Sequence, residues 1–266
     1  MSSRWAIVTG ASSGLGLELS RLLARGGWDI VAVARGEPEL HQLKTELRRR
    51  WQTNVKTLSV DLSRQSGAEK VWDFTQRHKI EPDILINSAG FGNFAEFTNS
   101  DWDKQARMIN LNILSLTYLC RLYAPGMAMR GFGRILNVAS TAAFVPGPMM
   151  SVYHASKWYV SGFGHSLREE LRGSGVSLTT FYPGAAATGF QRQANQQSVY
   201  VFSRPDKLGR AYEVAQTGYE AMLDGKSVSI PGFGAKLAWI AGQIVPASLL
   251  ARSIDRIYSW RVKQPV

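Results

Sequence analysis

The chain has one cysteine, Cys120, in 266 residues, so it forms no intrachain disulfide and is not a disulfide-stapled scaffold. Its 4 histidines, at positions 41, 78, 154 and 165, show no metal-ligand spacing with that cysteine, and no catalytic metal is expected. No run reaches the roughly 18 apolar residues that a membrane-crossing helix needs. The start of the chain runs from Met1 to Trp5 straight into Ala6-Ile7-Val8, without a charged leader followed by an apolar stretch. A reducing, cytoplasmic compartment is therefore the expectation. Acidic residues are the minority: 20 Asp and Glu face 31 Lys and Arg, a formal charge of +11. That balance favours nucleotides, polyanions or acidic lipid surfaces as partners and does not choose among them. Arg48, Arg49 and Arg50 fall near a predicted helix end, where cations suit the dipole, and no nucleic-acid reading module accompanies them. No nucleic-acid partner is expected.

With 45% apolar and 19% charged residues the composition is globular. Short β-rich runs at residues 5–9, 29–34, 55–60, 84–87, 134–139, 177–182 and 227–230 alternate with helix-period stretches at 15–25, 39–51, 68–79, 102–129 and 155–171. Parallel strands require long right-handed crossovers, so this rhythm predicts a doubly wound α/β fold, Rossmann-type, with about seven parallel strands and helices on both faces. No internal repeat, low-complexity tract or linker divides the chain, and one domain over residues 1–266 is expected. Its core covers 1–232, including a loop rich in Gln, Asn and Ser near 186–203, and a helical extension covers 233–266. In that extension Leu250, Ile254 and Ile257 make an apolar stripe beside the cations Arg252, Arg256, Arg261 and Lys263. Three uses stand open for it: a subunit interface, a cover over the protein's own pocket, or peripheral contact with a membrane surface.

The first strand ends in Thr9-Gly10-Ala11-Ser12-Ser13-Gly14-Leu15-Gly16, directly before the first helical pattern. Glycines there allow positive φ and close approach of a ligand, and the new helix offers free N–H groups to a diphosphate. A glycine cluster in this strand-to-helix context predicts dinucleotide binding. Farther on, Tyr153 and Lys157 stand four apart in a helical stretch and share one face. A free phenol is only about 0.1% ionised at neutral pH, and a neighbouring ammonium would help it exchange a proton with a carbonyl. Gly10, Asn87, Ser140 and Pro183 all fall at carboxyl ends of predicted strands, where ligands bind in open α/β sheets.

These residues resemble the classical short-chain dehydrogenase/reductase family over about residues 4–232. The marks run in order: Gly-x-x-x-Gly-x-Gly at 10–16, Asp61-Leu62, Asn87-Ser88-Ala89-Gly90, Asn112, Ser140, Tyr153 with Lys157, and Pro183-Gly184 with Thr188. Ser88 stands where the family usually has a second Asn. The run 134–140 and the Pro146-Gly147-Pro148 insert are similar to the DltE-type reductase subgroup. The resemblance implies hydride transfer between a nicotinamide and a carbonyl or hydroxyl carbon. Tyr153 is then general acid and base, Ser140 a hydrogen-bond partner of the reacting oxygen, and Lys157 also a ligand of the nicotinamide ribose. It further implies that Asn112, with Asn110 as fallback, holds a water linked to Lys157, that Asp61 receives the adenine amine, and that Thr188 bonds the carboxamide. The other reading of Asp61 is a turn-former before Ser63. Helices near 102–129 and 155–171 commonly build dimers or tetramers in the family, so a homo-oligomer is expected.

The acidic residue that would hold free ribose hydroxyls is expected about 18 residues past the last glycine, where this chain has Ala34. Arg35 follows with a planar donor set suited to a 2′-phosphate, so NADP(H) is the expected cofactor; the alternative is a solvated strand end. Phe91, Phe94, Phe144, Met149, Met150 and Phe190 near the predicted mouth point to a small apolar carbonyl or alcohol substrate, or else to core packing. The reading is an NADP(H)-dependent carbonyl reductase. Its rivals are a 3-ketoacyl-type reductase of lipid metabolism and a non-catalytic NADP(H)-binding sensor.

Overall fold

The computed structural model describes residues 4–184 and 208–262. Seven strands form one parallel sheet: β1 (Trp5–Thr9), β2 (Asp29–Ala34), β3 (Val55–Ser59), β4 (Pro82–Asn87), β5 (Gly133–Val138), β6 (Val176–Phe181) and β7 (Val228–Ser229). Their order is β3-β2-β1-β4-β5-β6-β7. The direction of winding reverses between β1 and β4, which opens a crevice at the carboxyl ends of those strands.

The helices follow from the same sequence periods: α1 (Gly14–Arg25), α2 (Glu37–Trp51), α3 (Gly67–Arg77), α4 (Trp102–Ile109), α5 (Leu116–Met129), α6 (Ser151–Glu170), α7 (Leu208–Leu223), α8 (Phe233–Ile244) and α9 (Ala247–Val262). Alternate strand residues point to opposite faces, so the continuous apolar runs supply two cores at once. On one face Ile7, Val31, Leu85, Ile135 and Leu178 pack with Val71, Leu119 and Val160 of α3, α5 and α6. On the other, Val8, Ile30, Ile84, Leu136 and Phe181 meet Leu19, Leu43 and Ala215 of α1, α2 and α7. Arg21 of α1 ties the first two helices of that layer together, bonding Glu46 of α2 through Nε at 3.0 Å and Nη2 at 2.8 Å.

Two elements depart from the expectation. The stretch 102–129 is not one helix: a π-helical turn, Asn110–Ser115, separates α4 from α5 and buries Asn112 and Ser115. Such turns rotate side chains relative to an ordinary helix and cluster at functional positions. Ser115 Oγ donates to the Leu62 carbonyl, fixing the turn to the segment after β3. Helix α7 had no sequence signal, because its buried face carries small residues, Ala211, Ala215 and Gly218, rather than a stripe of Leu or Ile. The loop expected near 186–203, together with Thr188, lies outside the described residues.

The C-terminal pair shows two faces. Gly242 of α8 is so close to the Phe144 carbonyl that a Cβ there would collide with it, and Ala238 packs on the core. Outward, Phe233, Leu237, Ile240 and Ile244 are exposed. Leu250, Ala251, Ile254 and Tyr258 of α9 are half-buried, and Arg252 and Arg256 face solvent. Among the described residues no helix is long and apolar enough to cross a membrane.

The entry of α1 sits directly on the β1 turn, and a Cβ on Gly16 would run into the Gly10 carbonyl. Gly16→Ala is therefore expected to destabilise the fold by about 1–3 kcal/mol despite the better helix propensity of Ala. A thermal melt at or above the wild-type midpoint would contradict this contact.

Candidate active site

The turn after β1 has the geometry that its glycines permit. Gly10 and Gly14 sit at φ 69° and 53°, in the region that costs L-residues energy. Ser13 is the N-cap of α1, and its side chain makes no capping bond. The N-terminal amides of α1 thus point, with the positive dipole end, toward the crevice. Thr9, to which the sequence reading gave no role, holds the two sides of that crevice together. Its Oγ1 donates to the Ile86 carbonyl at 3.3 Å and accepts from the amides of Ser88 at 3.0 Å and Ala89 at 3.1 Å. The turn Asn87–Gly90 is thereby pinned to the glycine turn. Asn87 itself is buried in the sheet and donates to Asn137 Oδ1 at 2.9 Å and to the Cys120 sulfur at 3.4 Å.

At the ends of β2 and β3, Arg35 is exposed, and its carbonyl accepts from Ser59 Oγ at 2.8 Å. Asp61 Oδ1 accepts from both the amide of Ser63, at 2.9 Å, and its hydroxyl, at 2.7 Å. Partial burial opposes the charge of Asp61. The Ser63 bonds and the nearby guanidinium groups of Arg35 and Arg64 outweigh it and hold the carboxyl below its usual range. Asp61 thus bonds its own turn at Ser63 and stands in the field of Arg35. Leu62 is buried beside it.

The chemical end assembles from β5, the π turn and α6. Lys157 is 6% exposed, and its ammonium donates to the Val138 carbonyl at 2.8 Å, at the tip of β5. Its Nζ lies 5.9 Å from the Tyr153 ring centre. Ser140, two residues past that tip, hydrogen-bonds the Tyr153 side chain and accepts from the Ala142 amide at 3.1 Å. Asn112 is locked by three bonds: Nδ2 donates to the Phe91 carbonyl and to Ser156 Oγ, both at 3.0 Å, and Oδ1 accepts from the Phe91 amide at 3.2 Å. A Cβ on Gly90 would stand 3.1 Å from Asn112 Oδ1 and 3.5 Å from Lys157 Nζ, so these groups converge on a backbone position kept bare. Asn110 is half-buried and opens the same turn. Pro183 and Gly184 close the circle, with the Pro183 carbonyl accepting from the Thr141 amide at 3.2 Å.

Burial governs the proton affinities. Removal from water pushes the Tyr153 phenol up to about 12; the Ser140 bond works against this, and Tyr258 adds to it. The same desolvation brings Lys157 down to about 8. The lowering of the phenol expected from sequence belongs to Lys157 acting together with an oxidised nicotinamide; on the protein alone burial is the largest influence on Tyr153. The phenol is protonated at neutral pH. Near the mouth Phe91, Phe94 and Val152 pack around Met108, Met150 and Tyr153. Met149, at φ 64°, takes a left-handed conformation that costs a non-glycine residue about 1–3 kcal/mol, and its carbonyl accepts from the Ala95 amide at 2.8 Å. Phe144 belongs to the core instead, 4.9 Å from the Tyr182 ring. His154 is buried and bonded through Nδ1 to the Val145 carbonyl at 2.7 Å, and burial lowers its proton affinity. Phe190 lies outside the described residues. Among the described residues no group of three His, Cys, Asp or Glu side chains could hold a metal.

A family model for the short chain dehydrogenases matches residues 4–199. The human very-long-chain 3-oxoacyl-CoA reductase is 32% identical over 188 residues, covering 69% of this chain and 60% of its own length. The chain thus spans less than two thirds of that relative. An uncharacterised oxidoreductase of Staphylococcus saprophyticus is 31% identical over 188 residues, 71% of this chain and 80% of the other. Among solved structures, a short-chain dehydrogenase from Sphingobium yanoikuyae in complex with NADPH superposes with a TM-score of 0.81 at 27% identity, over 99% of this chain and 97% of that one. Sheet order, glycine turn and family match agree, and the chain belongs to the short-chain dehydrogenase/reductase family of oxidoreductases.

Proposed function

We propose that the protein is an NADP(H)-dependent carbonyl reductase or alcohol dehydrogenase, one domain in extent, with Tyr153 as the proton donor in reduction and the acceptor in oxidation. The observation that carries this is the convergence of Ser140, Tyr153, Lys157 and Asn112 beside the glycine turn. The residues fit a dinucleotide. The amides of α1 and the bare turn at Gly10 suit a diphosphate, Arg35 in the field shared with Asp61 suits a 2′-phosphate, and Gly90 leaves room above Lys157 and Asn112. When bound, the nicotinamide supplies the hydride.

The chain's own residues manage the proton. Tyr153, neutral at pH 7 as any phenol is and kept so by burial, donates from Oη to the carbonyl oxygen of the substrate as negative charge develops there. Ser140 Oγ accepts from the Ala142 amide, which orients its own hydrogen toward the reacting oxygen and Tyr153. Lys157, held by the Val138 carbonyl, places a positive charge behind the phenol and offers further N–H donors to a ribose. Asn112, held by Phe91 and Ser156, presents a fixed polar edge beside Lys157 for a water that returns the proton from solvent.

The substrate class has two readings. The half-buried Phe91 and Phe94 and the buried Met150 favour an apolar carbonyl compound. The similarity to very-long-chain 3-oxoacyl-CoA reductases favours a 3-oxoacyl compound, an acyl chain whose ketone is separated from the thioester carbonyl by one carbon. Within the family we keep the DltE-type subgroup as our reading, on the 134–140 run.

Tyr153→Phe keeps the ring and removes the transferable proton, so kcat/KM in carbonyl reduction is expected to fall at least about a hundredfold; turnover near wild type would refute the mechanism. Arg35→Ala is expected to cut the preference for NADP(H) over NAD(H) by about ten- to a hundredfold. An unchanged ratio of catalytic efficiencies would remove Arg35 from the site. Lys157 holds its proton below about 8, so NADPH affinity, titrated by fluorescence, is expected to be steady at lower pH and to weaken above it. In Lys157→Arg the side chain stays charged and that alkaline limb is expected to disappear. A limb that persists in the variant belongs to another group.

A further inference from the structure

Helix α9 follows a sheet-free stretch of chain, yet it returns to the site. Its inward residues Leu250, Ile254 and Tyr258 are spaced by one turn, four apart, and all are half-buried. The Tyr258 ring meets the Phe94 ring edge-on with centres 5.6 Å apart. Phe94 in turn packs against the cluster that contains Met150 and Tyr153. The helix before it, α8, is seated through Gly242 on the Phe144 carbonyl, in the 3-10 turn Thr141–Phe144 that follows Ser140. Both C-terminal helices therefore lean on elements that carry reacting groups. Tyr258 is also close enough to Tyr153 for its charge to oppose ionisation of that phenol.

We propose that α9 forms the outer wall of the substrate site and that the Tyr258 hydroxyl is a substrate-binding group. It hydrogen-bonds a second oxygen carried one or two carbons from the reacting carbonyl. This rests on the carbonyl-reductase reading and sharpens it. Phe91, Phe94, Ala142, Met150 and Val152 give Tyr153 apolar neighbours on this side, while Ser140 is engaged with Tyr153 and His154 Nδ1 with the Val145 carbonyl. A buried oxygen without a partner is costly, and a site that provides one discriminates against compounds lacking it. The substrate class that fits is an apolar carbonyl compound with a nearby oxygen: a 3-oxo ester or thioester, or a hydroxy ketone. A plain ketone of the same bulk fits less well. Tyr258 does not enter the proton transfer; it selects and orients.

The test compares a 3-oxo ester with a plain ketone of matched length. For each, kcat/KM is measured with NADPH, and binding to the enzyme–NADP+ complex is followed by calorimetry. In the full-length wild type the 3-oxo ester is expected to bind more tightly. In Tyr258→Phe the ratio of the two kcat/KM values is expected to fall about tenfold, through KM of the ester. Arg256→Gln, on the solvent face of the same helix, is expected to leave that ratio where it was. Tyr258→Ala, which also removes the edge contact with Phe94, is expected to raise KM for both compounds. An equal ratio in wild type and Tyr258→Phe, or no preference for the ester in the wild-type binding titration, would overturn the inference. If Tyr153→Phe kept its turnover, the underlying function would fail instead, while the calorimetric preference would still judge Tyr258.

Discussion

A buried ammonium holding the end of a strand is the contact on which the site depends. Lys157 loses its water on α6 and regains one partner, the Val138 carbonyl at 2.8 Å. Burying a charge is tolerated only when a strong acceptor meets it. That bond fixes α6 against β5, and it sets the distance between Tyr153 on the helix and Ser140 beyond the strand. The Ser140–Tyr153 bond, the His154–Val145 bond and the core packing of Val160 hold the same register.

The sheet order explains why the other groups arrive at the same place. Reversal of winding between β1 and β4 leaves the carboxyl ends of both strands facing an open crevice. Thr9 closes the base of that crevice by bonding across to Ser88 and Ala89. The bare turns at Gly10 and Gly90 then stand on either side of a space that a Cβ would narrow. The glycine turn and the group of Ser140, Tyr153 and Lys157 thus meet at one end of one sheet, with rigid strands behind both. The C-terminal helices reach the same region, α8 through Gly242 at the Phe144 carbonyl and α9 through Tyr258 at Phe94.

Desolvation shifts both proton affinities of the site in opposite directions without changing the form each group takes at neutral pH. A phenol pushed up to about 12 and an ammonium brought down to about 8 are the same effect acting on an acid whose base is charged and on a base whose acid is charged. The resulting pair is a neutral phenol beside a group that still carries most of its charge at neutral pH. Burial thus disfavours ionisation of the Tyr153 phenol.

The strand runs and the glycine turn were legible in the sequence because both report on the backbone. Strands buried on two faces must be apolar throughout, and a turn at positive φ selects glycine locally. The four-residue step between Tyr153 and Lys157 was equally local. Helix α7 escaped notice since Ala211 and Ala215 bury little and leave no periodic signal. The π turn at Asn112 escaped because its register shift has no residue code. How far burial raises the Tyr153 phenol, and that Tyr258 meets Phe94 from a helix more than a hundred residues away, were decided only by the tertiary structure. The sequence by itself determined which side chains lie at strand ends. Which of them touch, and how much water each keeps, depends on packing between segments distant along the chain, and no local pattern encodes it.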